Sequence, residues 1–320
     1  RVNRVSMDSI QEIQVVESNY AAQYGGALSA VINPITKSGT NTFHGSLFDY
    51  FRNERMDAND FFNNAAGLPR SHFRLNQFGG SIGGPIAKDK LFFFANYEGV
   101  RQTRGQLFTS LTPTQAFRSA IAPALVPVVA TLPLPTSPFT FPGSAGPSAD
   151  VGLYSIQKDG RLREDTGSFK LDWNQSESSQ FSARYNINDS NTTTPYGVGT
   201  DQTAQGTLRV QLFKLSHNYV FSGNTVNEAA FGINNNKTNP TGGPSVFPIF
   251  SFLFADSAIA NIGPAQFDQY RTGTVYQFLD TLSHVRGNHS FKAGFDIRLN
   301  RRSASSKTQT TLQFASLADF

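Results

Sequence analysis

Short and long connectors alternate along this chain, and no other feature restricts its fold so sharply. Runs of period two divide the stretch from Thr42 to Arg301 into nine candidate β-strands. Lys88-Asp89, Gln175 to Ser179, Ser222 to Asn224 and Gly287-Asn288 join successive strands through tight turns. Asn53 to Arg74, Gln102 to Asp165, Asp189 to Gln205 and Asn236 to Gly273 are the long links between those pairs. An up-and-down antiparallel sheet with its tight turns at one end produces this rhythm. In transmembrane barrels the tight turns lie on the periplasmic side and the long loops outside.

The strands themselves separate two environments. Phe291, Ala293, Phe295, Ile297 and Leu299 share one face, and Lys292, Gly294, Asp296, Arg298 and Asn300 share the other. Phe169, Leu171 and Trp173 oppose Ser168, Lys170 and Asp172, while Phe181, Ala183, Tyr185 and Ile187 oppose Ser182, Arg184, Asn186 and Asn188. Alternation this strict places an apolar medium on one side and a polar one on the other. Two segments are noisier. The apolar phase shifts between Leu212 and Phe213, where a bulge is expected. Asp280 falls in phase with Tyr276, Phe278 and Leu282, so the faces of Thr274 to Arg286 stay unassigned. A soluble sandwich or propeller also alternates. Strands of about ten residues, near the length that spans a bilayer when tilted, favour the membrane barrel.

Composition fits that reading. Charged residues make up 16% of the 320, against about 25% in soluble domains, yet the mean hydropathy is −0.31. Polar uncharged residues fill the gap, as a sheet with one lipid face and one wet face requires. Cysteine is absent, which excludes disulfides and thiolate metal sites. The net charge of +4 is dispersed without a basic block, so no nucleic-acid partner is expected. Ala120 to Leu134, the most apolar stretch, carries Pro123, Pro127 and Pro133 and is too short for a membrane helix. The chain opens on Arg1 and carries no leader pattern, and it reads as an internal piece of a longer protein.

The first forty residues differ from the rest. Ile10 to Val16 and Val31 to Thr36 are short strand candidates, the second with Pro34 at an edge or bulge. Asn19 to Tyr24 has the pattern of one helical turn, stopped by Gly25-Gly26. A unit this small must pack against something larger.

Ile10-Gln-Glu-Ile-Gln-Val-Val-Glu17, Tyr24-Gly25, Val31-Ile32-Asn33 and Thr36-Lys37 resemble the end of the plug domain of a TonB-dependent outer-membrane receptor. Phe43 to Asn53, Asp57 to Phe62, Asn76 to Pro85 and Lys88 to Gly99 are similar to the first barrel segments of the Oar-like branch of that family. After Gly167 the resemblance lies in hairpin rhythm, with Val285 to Gly294 its best later echo. The resemblance implies residues 1–40 as the C-terminal part of a plug and 41–320 as the N-terminal part of an outer-membrane barrel. A full barrel of this kind has about twenty-two strands; the nine or ten here form a partial one. The resemblance also implies uptake of a bulky solute powered by the TonB complex, contacted through sequence that precedes this chain. The ligand is an unknown extracellular one.

The expected fold is therefore an all-β, transmembrane antiparallel up-and-down barrel, in part, preceded by the end of a plug. Glu98, Lys170, Asp172, Arg184, Glu228, Asp296 and Arg298 lie on polar strand faces and are the lumen candidates. The plainer reading of these charges is that they solvate the lumen or pair with the plug. No catalytic set, metal site or cofactor motif is expected. His284 and His289 flank a turn without an acidic partner. Gly79-Gly80-Ser-Ile-Gly83-Gly84 lacks the Gly-Lys-Ser/Thr end of a phosphate loop. Asp57, Asp60 and Glu54 offer oxygen ligands to calcium, but solvated loop acids look the same. Two alternatives stand beside transport: an adhesion or secretion-linked barrel through which nothing passes, and a soluble extracellular β-enzyme.

Overall fold

A computed structural model describes residues 6–16, 30–65, 69–199, 202–242, 249–254, 257–258, 268–307 and 311–314. Two short strands come first, β1 (Ile10–Val16) and β2 (Val31–Thr36), paired antiparallel. Asn19 to Tyr24 lies outside the described residues. The chain continues through β3 (His44–Asn53), β4 (Phe73–Ala87), β5 (Leu91–Pro113), β6 (Ser137–Pro138), β7 (Val151–Ser176), β8 (Ser179–Pro195), β9 (Thr203–Ser222) and β10 (Thr225–Thr241). It ends with β11 (Ile249–Phe254), β12 (Ser257–Ala258), β13 (Gln269–Arg286), β14 (His289–Ser306) and β15 (Thr311–Phe314).

The main sheet runs β3-β4-β5-β7-β8-β9-β10-β13-β14, each strand antiparallel to the next in the chain, with β6 added beside β7. These are the nine strands that the alternation marks out. Among the described residues β3 and β14 each have one neighbour, so the sheet is open. The chain is thus an all-β meander with barrel topology. β11 pairs in parallel with β15 and antiparallel with β12 apart from that sheet.

The tight turns sit where expected. At the β4–β5 turn Asp89 adopts a left-handed φ of 62°, a conformation that Asp tolerates better than most residues. Asn41 holds it there, donating to the Asp89 carboxylate at 2.5 Å and accepting from its backbone N–H at 2.8 Å.

The long links are shorter than the sequence pattern indicates. β5 and β7 stay paired from Gln102↔Leu162 to Pro113↔Val151, so the true connector is 114–150. Both faces of this extension meet water or loop, so no apolar stripe announces it. β8 and β9 likewise extend to Pro195 and from Thr203. The expected bulge at Leu212–Phe213 is absent: Asn186↔Leu212 and Tyr185↔Phe213 pair in unbroken register. The phase shift arises because Leu208, Val210 and Leu212 are apolar residues on the otherwise polar face, Val210 being buried there. The register slips instead beside the turn, where Thr225 faces Ser222 and Val226 faces Val220.

Beyond the ends of β5 and β7 the connector folds back on them. Leu111, Phe117, Val128, Leu132, Val151 and Val198 form a buried apolar cluster. A short helix at Gln115–Ala120 begins at Thr114, whose hydroxyl accepts from Phe117 N at 3.3 Å. Arg118 then ties the segment down by donating to the carbonyls of Leu132 and Pro133, both at 2.9 Å. The proline-rich stretch is therefore a packed cap at the end away from the tight turns.

Candidate functional site

Cross-strand register fixes two faces, since directly opposed residues lie on the same side. The outer face carries the row Leu91, Trp173, Phe181, His217, Ala229, Asp280, Phe295. Further toward the long loops it carries Ala95, Phe169, Tyr185, Phe213, Ile233, Tyr276 and Leu299. Phe169 and Trp173 are each 44% exposed and Phe295 54%, so this band has no protein cover. Aromatic rings mark its lower margin, with Trp173 stacked on Phe181 at 5.5 Å and Phe181 on His217 at 4.1 Å. Its upper margin carries Tyr97, one outward row beyond Phe169 and Tyr185, and charges begin just past it. Arg101 and Arg163 share Asp165 at 2.6 and 3.0 Å, and Arg209 pairs with Asp189.

The inner face is polar and meets the N-terminal segment. Ser6 donates to Glu98 at 2.6 Å, and Gln77 donates to the other Glu98 oxygen at 2.8 Å. Asp8 accepts from Ser46 at 2.8 Å and pairs with Lys37 at 3.5 Å. Arg184 reaches Thr36 at 3.3 Å, and Lys170 donates to Ser38 at 2.6 Å. Gly39 lies against backbone: a β-carbon there would come within 2.3 Å of Phe93 O and 2.7 Å of Gly84 O, so a side chain would push the segment off the sheet. Two glycines of β4 make room for side chains of the adjoining segment 43–47. Leu47 fills the space over Gly80, and Phe43 that over Gly84.

Glu98, Lys170 and Arg184 all bond the N-terminal segment. Asp172 stands beside Lys170, with 3.3 Å between its Oδ2 and Nζ. That oxygen forms no directed hydrogen bond, and the pair lines a cavity of about 390 Å³ with Ser38, Gly39, Asn174 and Gln180. Asp296 and Arg298 pair with each other at 2.6 Å on the same face, and Gln277 joins them at 2.9 Å. Glu228 is exposed on that face, opposite Asn218 and Thr281. Among the described residues these last three form no hydrogen bond or ion pair with the N-terminal segment.

Other expectations resolve differently. Asp280 points outward and accepts from Asn227 at 3.1 and 3.2 Å, which assigns the face that alternation left open. In the first loop Asp57 binds Arg52 at 2.9 Å, Glu54 accepts from Phe73 N at 3.2 Å, and Arg70 bridges the carbonyls of both. His284 bonds Thr225 at 2.9 Å and His289 faces Arg286, so the two do not converge. Among the described residues no three His, Asp or Glu side chains gather as a metal site would need. One buried layer escaped sequence reasoning: Asn188 donates to Glu164 at 3.1 Å and to Thr166 at 2.8 Å, inside the part of β7 that reads as loop.

Asp8 titrates below the usual carboxylate range. Its partial burial opposes this, but hydrogen bonds from Ser81 and Ser46 and the Lys37 charge outweigh it. A depressed native value contributes stability above the unfolded value and loses it as pH falls through the native one. Contact between the N-terminal segment and β3–β4 is therefore expected to loosen on acidification below about 3.9, the ordinary Asp value. Hydrogen exchange of residues 6–16 across that range measures it, and a rate that ignores pH after correction for intrinsic exchange would refute it.

The profile of the family described as the outer membrane beta barrel domain matches residues 35–320. The TonB-dependent transporter Oar of Myxococcus xanthus is 32% identical over 97 residues, which are 29% of this chain and 9% of that protein. The probable TonB-dependent siderophore receptor PirA of Acinetobacter baumannii is 29% identical over 122 residues, 37% of this chain and 14% of that one. Among solved structures, the outer membrane transporter YddB from Escherichia coli superposes with a TM-score of 0.58 at 12% identity, over 92% of this chain and 35% of that one. That likeness concerns the fold. The chain spans a small part of the length of these relatives, which are transporters and receptors rather than enzymes.

Proposed function

Because this chain belongs to the outer membrane beta barrel domain family and resides in the outer membrane of a Gram-negative cell, we propose that it is part of a TonB-dependent receptor that takes up a bulky solute. In this reading residues 1–40 are the end of the plug and 41–320 the first part of the barrel. Glu98, Lys170, Asp172, Arg184, Glu228, Asp296 and Arg298 face the lumen. One observation carries the proposal: the N-terminal segment rests on the polar face through single, separable hydrogen bonds, while the opposite face is an uncovered apolar band bounded by aromatic rings. A barrel whose lumen is occupied by a part held this way suits gated passage. The matched relatives, the transporter Oar and the probable siderophore receptor PirA, both TonB-dependent by name, support TonB as the energy source and a solute as cargo.

The test uses cells that make the full-length protein. Solutes removed from a complex medium are followed by mass spectrometry with the inner-membrane TonB complex present or deleted. The expected result is surface binding in both strains and internal accumulation only with the complex. Accumulation that ignores the complex would refute TonB dependence. Binding without accumulation in either strain would favour the adhesion reading.

The outward Asn227–Asp280 pair gives a stability prediction on the same membrane placement. Asn227→Leu alone leaves the Asp280 carboxylate without its donor at the aromatic margin of the band, and should destabilise the barrel by about 1 kcal/mol. Asn227→Leu with Asp280→Leu should recover most of that loss, since lipid accepts two leucines readily. Denaturant titration in vesicles measures both, and additive losses would contradict the pairing.

A further inference from the structure

We infer that the cavity beside Lys170 and Asp172 binds a neutral sugar ring, at the end of the inner face nearest the tight turns. It rests on that cavity alone and not on TonB-dependent uptake. Two rows of the sheet form its floor. Phe92, Asp172 and Ser182 stand opposite one another in the first. Gln180 and Asn218 oppose each other in the second, one step nearer the turns. Ser38 and Gly39 of the N-terminal segment border the cavity, with Ser38 held at 2.6 Å by Lys170 one row toward the long loops. Its volume of about 390 Å³ falls within the range of about 300–1,000 Å³ of small-molecule sites.

Chemistry selects the ligand. Lys170 and Asp172 offset each other at 3.3 Å, and every other residue that lines the cavity is neutral. An ion finds no unmatched counter-charge in this wall. The Oδ2 atom of Asp172 is buried without a hydrogen bond, although buried oxygens are regularly paired. It calls for a donor. Among the described residues the side chains of Gln180, Ser182 and Asn218 also form no hydrogen bond within the protein. An amide both donates and accepts, and so does a hydroxyl. A ring with several hydroxyls therefore answers the carboxylate oxygen, the amides and the serine together. Phe92 gives the C–H face of the same ring an apolar surface to cover. A purely apolar molecule would leave those polar groups unpaired. A sugar in this place touches Ser38 and the wall at once, so its binding stabilises their contact.

The experiment uses the full-length protein in an amine-oxide detergent, which carries no sugar headgroup. Saturation-transfer NMR follows glucose, with glucosamine and glucose 6-phosphate as its cationic and anionic counterparts. Glucose is expected to bind roughly tenfold tighter than either charged form, a difference of about 1.4 kcal/mol. Gln180 and Asn218 are both exposed, so leucine at these positions is compatible with folding. Gln180→Leu with Asn218→Leu should weaken glucose binding roughly tenfold. Asn234→Leu, on the same face away from the cavity, should leave it unchanged, heat-modifiable gel migration showing that each variant is folded. The unaltered protein gives a second measurement: with glucose bound, hydrogen exchange should slow at residues 36–40 and 172–182. Protection confined to other segments would place the sugar elsewhere and overturn the proposal. A charged sugar that binds as tightly as glucose would overturn it too, since the site would then select for charge. Absence of any transfer to glucose would leave the cavity to water and end the proposal without a variant.

Discussion

Phe169→Arg is expected to cost the folded barrel about 2–4 kcal/mol, the penalty for a guanidinium near the middle of a lipid-facing band. Phe169 stands on β7 between Ala95 of β5 and Tyr185 of β8, with Leu171 and Gly167 beside it in the same outward row. No carboxylate lies opposite to neutralise the new charge. The next residue, Lys170, is also a cation, but it turns inward and is held by Ser38 and Asp172 at 2.6 and 3.3 Å. Adjacent positions of one strand thus tolerate opposite chemistry, and the contrast isolates the environment from the residue. Asn234→Arg on the inner face, where the side chain is exposed, should change stability by no more than about 0.5 kcal/mol. Trp173, the single tryptophan of the chain, lies on the same outward face and reports unfolding by fluorescence in vesicles. A Phe169→Arg loss as small as that of Asn234→Arg would mean that this face does not meet lipid.

The contrast between Phe169 and Lys170 is also where the sequence was most legible. Within the membrane, one face of every strand meets hydrocarbon and the other meets water or the N-terminal segment, so side chains must alternate. That rule alone places Phe291 to Leu299, Phe181 to Ile187 and Phe169 to Trp173 on the outer face. It also puts Lys170, Arg184 and Arg298 on the inner one. The rule fails wherever the two sides stop differing. Past Arg101 on β5 and before Asp165 on β7 apolar residues fall on both faces, as Leu111 opposite Leu153 and Phe108 opposite Ile156 show, and the strands continue unseen for lack of a two-residue pattern. The same blindness hid the Glu164–Thr166–Asn188 layer and the arginines that share Asp165. A different failure occurs at Leu208, Val210 and Leu212. There the inner face itself is apolar, and a change of environment imitates a change of register.

Contacts between distant segments were legible only in outline. A short link at Lys37 to Asn41 requires the N-terminal segment to emerge beside β3, and it does, with Asp8 against Ser46. Which side chains make the contact depends on three-dimensional placement, so Ser6, Thr36 and Ser38, unremarkable as sequence, hold three of the charged inner residues. The glycines of β4 show how two physical causes share one composition. A β-carbon on Gly84 would meet the Phe43 ring, whereas the Gly84 carbonyl lies against the α-carbon side of Gly39, whose own smallness lets the two backbones approach. At Gly80 the same smallness is used by a leucine of the next strand.

Removing residues 1–40 from the full-length protein should make cells sensitive to a large polar glycopeptide antibiotic that intact outer membranes exclude. The expected fall in inhibitory concentration is at least roughly tenfold, equivalent to about 1.4 kcal/mol of barrier. The barrel strands carry their own cross-strand hydrogen bonds from β3 to β14, so loss of the segment leaves the wall intact. What disappears are the contacts to Glu98, Lys170, Arg184 and Ser46, each a single hydrogen bond worth about 1 kcal/mol or little more. A cysteine pair introduced as Asp8→Cys with Ser46→Cys gives the opposite test on the complete protein, since those side chains already meet at 2.8 Å. The oxidised form should exclude the antibiotic and stop energy-dependent uptake, and reduction should restore uptake. Both effects follow if the segment is the movable part and the strands are the fixed one. Deletion that leaves the barrel assembled and the antibiotic excluded would show that something else closes the passage. Uptake that continues with the bond formed would show that solute passes while the segment stays against β3.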